Sequence, residues 1–194
     1  MKIRLLAAVA AMVLSAGAHA ASPVFTDTFD GDVQGTNVGV SGWVVTDGTV
    51  DIVPVGADFH FLASGNGNYV DLDGSTDQAG TLTKTLTGLA DGEYALTFEL
   101  AGNHRDGGVE ATTVTISGGA GTTITPAEND DSFFTVIGHA TGGTLTFSFH
   151  DASADNIGSL LDNVSVSAVP EPGSLPLMLA GFAALGVVAR RRRS

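Results

Sequence analysis

The residues able to do chemistry in this chain are mostly carboxylates. Its 194 residues include 21 Asp and Glu, eight Lys and Arg, five His and no Cys. Without cysteine there can be no disulfide, thiolate metal site or cysteine nucleophile. All the acids fall between Asp27 and Glu171, where Lys84 and Arg105 are the only basic residues. Segment 21–171 therefore sets two basic side chains against 21 acidic ones, a formal charge of −19. A field of that sign repels nucleic acid and anionic lipid, which excludes both as partners of the body, and it concentrates soluble polyvalent cations.

Several constellations invite a sharper reading. Asp71-Leu72-Asp73-Gly74-Ser75-Thr76-Asp77 has the look of a calcium loop. An EF-hand needs Gly at loop position 6 and a bidentate Glu at position 12, whereas here Gly falls fourth and Leu82 twelfth. A strand end followed by an Asp-Gly turn is the better reading. His60, His104, His139 and His150 are scattered without metal-ligand spacing, and no Gly-x-Ser-x-Gly, His-Glu-x-x-His or Walker pattern occurs. Paired carboxylates for glycoside hydrolysis are not signalled, so no catalytic residue is assigned. Trp43, Tyr69 and Phe61 could stack on a sugar ring, although sandwich aromatics usually point inward. Arg105, in the loop Gly102–Gly108, either contacts a ligand or is solvated.

Strands must position these groups. Gly and Thr dominate the body, with 22 and 21 of the residues in 21–171. Threonine suits a pleated, half-buried surface, and glycine suits turns. Period-2 alternation is plain in Tyr94-Leu96-Phe98-Leu100, Leu145-Phe147-Phe149, Val114-Ile116 and Val164-Val166. Turn signals such as Asp47-Gly48, Asp91-Gly92, Gly118-Gly119 and Gly142-Gly143 separate the runs. Strands are predicted near 24–29, 42–46, 49–53, 68–72, 80–86, 93–100, 109–117, 122–125, 132–138, 143–149 and 160–166. Such spacing predicts an all-β domain over 21–168, a jelly-roll β-sandwich of two antiparallel sheets.

Both ends read as addresses. Lys2 and Arg4, the apolar run Leu5–Leu14 and the small-x-small site Ala18-His19-Ala20 form a secretory signal peptide over 1–20, cut after Ala20 by the signal peptidase that serves the Sec route. At the other end, 174–189 are 16 uncharged residues, slightly short of the ~20 of a spanning helix, and flanking residues or snorkelling arginines extend them. Arg190, Arg191, Arg192 and Arg193 fix that end in the cytoplasm. Pro170 and Pro172 lack a backbone N–H and keep the stretch around Glu171 extended, as entry into a protease cleft requires.

Pro-Glu-Pro, a short apolar segment and a terminal Arg cluster over 169–194 resemble the PEP-CTERM sorting signal. The resemblance implies that an exosortase, an integral-membrane cysteine transpeptidase-like enzyme, recognises Pro170, Glu171 and Pro172 and removes the tail. The body, from Asn68-Tyr69-Val70-Asp71 through Asp91-Gly92-Glu93-Tyr94 to Leu161-Asp162-Asn163-Val164, resembles the DUF642 and choice-of-anchor extracellular domains. These are related to galactose-binding-like jelly rolls, including many carbohydrate-binding modules. That relation implies a structural Ca²⁺ between the first strand region and the last strand, held by Asp27 or Asp30 with Asp162 and backbone carbonyls. No cofactor is required otherwise.

The chain is thus expected to be exported across the inner membrane, held there transiently, and delivered to the cell surface or an exopolysaccharide-associated matrix without catalytic activity. A carbohydrate-binding module for extracellular polysaccharide is the second reading, and a secreted glycan-active enzyme the third.

Overall fold

The computed structural model describes residues 21–54, 56, 67–105, 108–170 and 181. Backbone contacts group Ala21–Val169 into one compact unit, and Met1–Ala20 with Pro170–Ser194 form the other. The signal-peptide residues with Ala18 and Ala20, the motif residues Glu171 and Pro172, the apolar segment 174–189 apart from Gly181, and Arg190 to Arg193 lie outside the described residues. Among the described residues no helix is long and apolar enough to cross a membrane.

Among the described residues of 21–170 every regular element is a strand. The strands are β1 (Phe25–Asp27), β2 (Val44–Thr46), β3 (Asp51–Pro54), β4 (Asn68–Asp71), β5 (Thr81–Thr87), β6 (Gly92–Ala101), β7 (Thr112–Ile116), β8 (Thr122–Ile124), β9 (Asp131–Ala140), β10 (Thr144–Asp151) and β11 (Leu160–Ala168). They form two sheets in which every ladder is antiparallel. One runs β3-β4-β11-β6-β9 with β1 also on β11; the other runs β2-β5-β10-β7-β8. The predicted all-β sandwich of two antiparallel sheets is what the chain adopts.

Alternation does the positioning. Leu96, Phe98 and Leu100 of β6 face Leu82 of β5, Leu145, Phe147 and Phe149 of β10, and Val114 and Ile116 of β7, all nearly or fully buried in one core. Phe98 meets Phe149 edge-on at 4.9 Å between centroids. The outward positions of the five-stranded sheet are hydroxyls that pair across strands, Thr115 with Ser148 at 2.7 Å and Thr85 with Thr146 at 3.0 Å. The six-stranded sheet is also buried on part of its outer face, where Val53, Tyr69, Ala101 and Leu160 make a second, smaller cluster.

β11 breaks the period. Leu161 faces the core, but the next core positions are Val164 and Val166. The register slips between Asp162 and Ser165, and Asn163 takes a left-handed φ of 50°. One extra residue in a strand flips the phase of everything beyond it. Asp162, following Leu161, points to the outer face opposite Glu99 of β6, and the extra residue at Asn163 returns Val164 and Val166 to the core.

Candidate functional site

A cleft of about 310 Å³ opens at the end of the sandwich where β3 and β4 meet the loops after β6 and β10. Its apolar wall is Ile52, Val53 and Pro54, and its polar wall is Asp51, Asp71, Ser75, Arg105 and Asn156. Asp51 and Asp71 stand directly opposite each other in the β3–β4 ladder. Like charges in that position are destabilising, so the surroundings must offset them. Asp51 accepts hydrogen bonds from the Asn37 amide at 2.7 Å, the Ser75 hydroxyl at 2.7 Å and the Ser75 amide at 3.3 Å. Asp71 accepts from the Asp73 amide at 3.2 Å and forms an ion pair with Arg105, whose side chain is 21% exposed against 5% for Asp71. Burial nevertheless pushes the Asp71 carboxyl up to about 7, against the pull of Arg105 and with a further push from Asp51. Burial also raises the Tyr69 phenol behind it to about 12.

Arg105 is set by its own loop. The Asn103 side-chain oxygen Oδ1 accepts from the Arg105 backbone amide at 2.8 Å, and the Asn103 side-chain NH₂ donates to Glu110 at 3.0 Å. One guanidinium N–H then donates to the Asn156 carbonyl at 3.0 Å, tying this loop to the one after β10. Asp73 holds that second loop by accepting from the amides of Asp155 and Asn156, both at 3.0 Å. Gly158 is required here, because a Cβ would run into the Asp73 amide and stand 2.6 Å from an Asp71 carboxylate oxygen. A wider hollow of about 770 Å³, bordered by Asp30, Asp32 and Asn68, shares Gln34 and Pro54 with the cleft.

The second polar feature is the outward side of the β11 bulge. Asp162 is buried, and its carboxylate accepts from the amide of Asn163 at 2.6 Å and from the Asn163 side chain at 3.2 Å. The same side chain donates to Glu99 at 2.7 Å. Burial pushes Asp162 up to about 7, and the charges of Glu99, Asp30 and Asp27 add to the push. Asp30 accepts from the Asn68 amide at 2.9 Å and from Thr28 at 3.0 Å, in a turn so close to Gly67 that a Cβ there would meet its carboxylate. Asp27 accepts from the Phe29 amide and from the Trp43 indole at 2.8 Å. Hard carboxylate oxygens crowded by mutual repulsion are the donor chemistry that calcium takes. In the described geometry, however, no three carboxylate or imidazole groups converge closely enough to hold a metal.

The expected site residues thus separate into groups. Asp27, Asp30 and Asp162 share one electrostatic neighbourhood, and Glu99 joins them. Trp43 is a correction: it is 8% exposed and surrounded by Phe25, Phe29, Phe147 and Phe149, with centroids 5.5 to 6.2 Å away, so it builds the core and offers no stacking face. Tyr69 is fully buried as well. Arg105 is neither free in solvent nor isolated; it forms a wall of the cleft. His104, His139 and His150 sit on separate elements, while His60 and Phe61 lie outside the described residues. Sequence reasoning missed Asp51, Asp71 and Glu99 as site residues. For Asp51 and Asp71 a signal existed, since an acidic residue interrupts two strands that are otherwise apolar.

Residues 168–193 match the model of the PEP-CTERM protein-sorting motif. The chain carries an exosortase sorting signal. It is therefore a secreted protein directed to the cell envelope, and Pro170, Glu171 and Pro172 fall within the matched segment. A search of curated proteins by sequence finds no match. Among solved structures, a family 35 carbohydrate-binding module from Clostridium thermocellum aligns at 14% identity and TM-score 0.50, covering 75% of this chain and 99% of that one. TmCBM61 in complex with β-1,4-galactotriose aligns at 16% identity and TM-score 0.46, over 66% of this chain and 89% of that one. An exo-β-1,3-galactanase from Phanerochaete chrysosporium aligns at 17% identity and TM-score 0.46, over 73% of this chain but only 29% of the enzyme. The likeness to the family 35 module carries the jelly-roll fold of the sandwich; it does not carry the DUF642 assignment.

Proposed function

We propose that the sorted protein is a non-catalytic surface or matrix component whose jelly roll binds the cell's extracellular polysaccharide. The observation that carries this reading is the cleft. It combines an apolar wall with a few converging polar groups, and at about 310 Å³ it lies at the lower edge of ligand-pocket sizes, roughly 300–1,000 Å³. Carboxylate, guanidinium and hydroxyl groups that already hold one another in place match the hydroxyls of a sugar without much loss of freedom on binding. That same mutual restraint favours holding a ligand over turning it over. Asp51 accepts three hydrogen bonds and Asp71 is paired with Arg105, which fixes both carboxylates in place. The galactose-oligosaccharide complexes among the structural neighbours point the same way.

Within this reading Asp162 with Asp27 or Asp30 would be the residues to hold a Ca²⁺ ion, whose charge would offset the burial and the acidic neighbours that raise the Asp162 carboxyl. Binding would require a small rotation of carboxylates now bonded to Asn163, Trp43 and Thr28.

The test is a glycan array and titration calorimetry on the Ala21–Val169 protein, with Arg105→Ala as the cleft variant. Reproducible binding of a polysaccharide or oligosaccharide, weakened at least tenfold in the variant, is the expected result. Absence of any glycan ligand would overturn the binding role. Hydrolysis of a glycan, lost in Asp71→Asn, would replace it with an enzymatic one.

A further inference from the structure

The cleft has a charge balance that a sugar site need not have. Its described ionisable wall is Asp51, Asp71 and Arg105, two acids and one base, with Asn156 and Ser75 contributing neutral groups. Arg105 is committed to Asp71, which leaves the Asp51 carboxylate as the surplus charge. Ser75 donates its hydroxyl hydrogen to Asp51, so it turns an oxygen lone pair, not a proton, towards a ligand. The Asn156 side chain is likewise occupied, donating to Asp77 at 2.7 Å and accepting from the Asp77 amide at 2.6 Å. The wall therefore presents mainly acceptors. A ligand must supply donors and must not bring a negative charge.

We infer that this cleft selects neutral, hydroxyl-rich sugar residues and rejects uronates and other anionic sugars, with the Asp51–Asp71 pair as the discriminating element. The inference rests on the carbohydrate-binding reading above and names the ligand class of that same site. Sugar hydroxyls donate to the Asp51, Asp71 and Ser75 oxygens, and the Ile52–Pro54 wall receives the C–H face of the ring. A carboxylate on the sugar would bring acceptor against acceptor and charge against charge. At surface-like screening, two like charges a few ångströms apart differ from a neutral pair by enough to cost about tenfold or more in affinity. The volume of about 310 Å³ limits the cleft to a short stretch of the glycan.

The experiment compares three soluble probes by calorimetry: a neutral galactose or glucose trisaccharide, a trisaccharide of uronic acid, and a glucosamine trisaccharide. The wild-type protein is expected to prefer the neutral probe over the uronate by at least tenfold. Asp71→Asn, which leaves Arg105 without its anionic partner, should narrow or reverse that ratio by gaining uronate affinity. Such a gain cannot come from misfolding. Asp51→Asn should move the ratio the same way. Equal or tighter uronate binding by the wild-type protein overturns the inference, as does an unchanged ratio in both variants or a glucosamine probe that binds more weakly than the uronate. Each of these outcomes leaves the binding role standing, whereas silence from every glycan on the array defeats that role itself.

Discussion

Asp162→Asn should make the metal-free protein more stable at pH 8, against the usual expectation for a buried, hydrogen-bonded residue. Burial and the charges of Glu99, Asp30 and Asp27 raise its carboxyl from 3.8 to about 7. Below about pH 4 the group is neutral whether the chain is folded or not, and it costs nothing. Between about 4 and 7 the folded protein keeps a proton that the unfolded chain has released, and stability declines as pH rises. Above about 7 both states are ionised and the folded state carries the full penalty, which for about three pKa units is about 4 kcal/mol. The neutral isostere avoids that penalty. It keeps an oxygen to accept from the Asn163 amide, and it gives up the Asn163 side-chain bond at about 1 kcal/mol. The net gain of about 3 kcal/mol corresponds to a rise in Tm of about 6–12 °C for a domain of this size. Thermal unfolding in chelator at pH 8 and at pH 4 reads it: the variant should melt higher at pH 8, and the difference should vanish at pH 4. In the wild-type protein millimolar Ca²⁺ should raise Tm at pH 8 and do so far less in the variant. A variant that melts lower than wild type at pH 8 in chelator would refute the reasoning, and calcium that moves neither Tm would remove the ion.

Two further outcomes follow from the described contacts and from the motif. Trp43→Ala should cost about 3–5 kcal/mol, because it empties the centre of the Phe25, Phe29, Phe147 and Phe149 cluster and strips Asp27 of its indole donor; Trp43→Phe should recover more than half of that in a denaturant titration, and a loss of glycan binding without a loss of stability would contradict the core assignment. Glu171→Ala should leave the precursor unprocessed in its native host, and intact mass on exported material checks it. Normal trimming of that variant would detach the motif from its function.

Much of the architecture was legible because the core-facing residues keep strict alternation. Tyr94-Leu96-Phe98-Leu100 and Leu145-Phe147-Phe149 cannot bury one face in any other secondary structure, and the turn dipeptides mark where each run stops. The sorting motif was legible for a different reason: Pro-Glu-Pro, an apolar run and terminal arginines form a pattern of neighbouring residues that the sequence itself displays. The cleft was not legible. Its residues come from β3, the end of β4 and the loops after β6 and β10, so their convergence depends on strand order, which a β-rich sequence does not state. Arg105 was singled out for its rarity, but its partner Asp71 was absorbed into a turn motif. Trp43 was open to two readings, sugar platform or core, and its ring takes the inward one that sandwich aromatics favour, with its N–H donating to Asp27. Glu99 was hidden by the alternation itself, since a residue between Phe98 and Leu100 reads as solvated until the β6–β11 register sets Asp162 opposite it.

β11 explains why these features are coupled. It is the one strand that pairs with β1, β4 and β6, so the six-stranded sheet cannot close before its residues are in place. At its start, Leu160 lies opposite Asp71 and Ala101, beside the cleft; in its middle, the slip at Asp162 supplies the acidic nest. At its end, Ala168 still pairs with Tyr94, and the Val169 amide donates to the Glu93 carbonyl at 2.9 Å. The next residue, Pro170, has no N–H to continue the ladder. The sheet therefore stops where the sorting motif begins, with no spacer between them. A strand so placed tolerates little change. Deleting Asn163 would leave Leu161 and Val164 two residues apart and in phase, so it would straighten β11 while taking from Asp162 and Glu99 the side chain that donates to both.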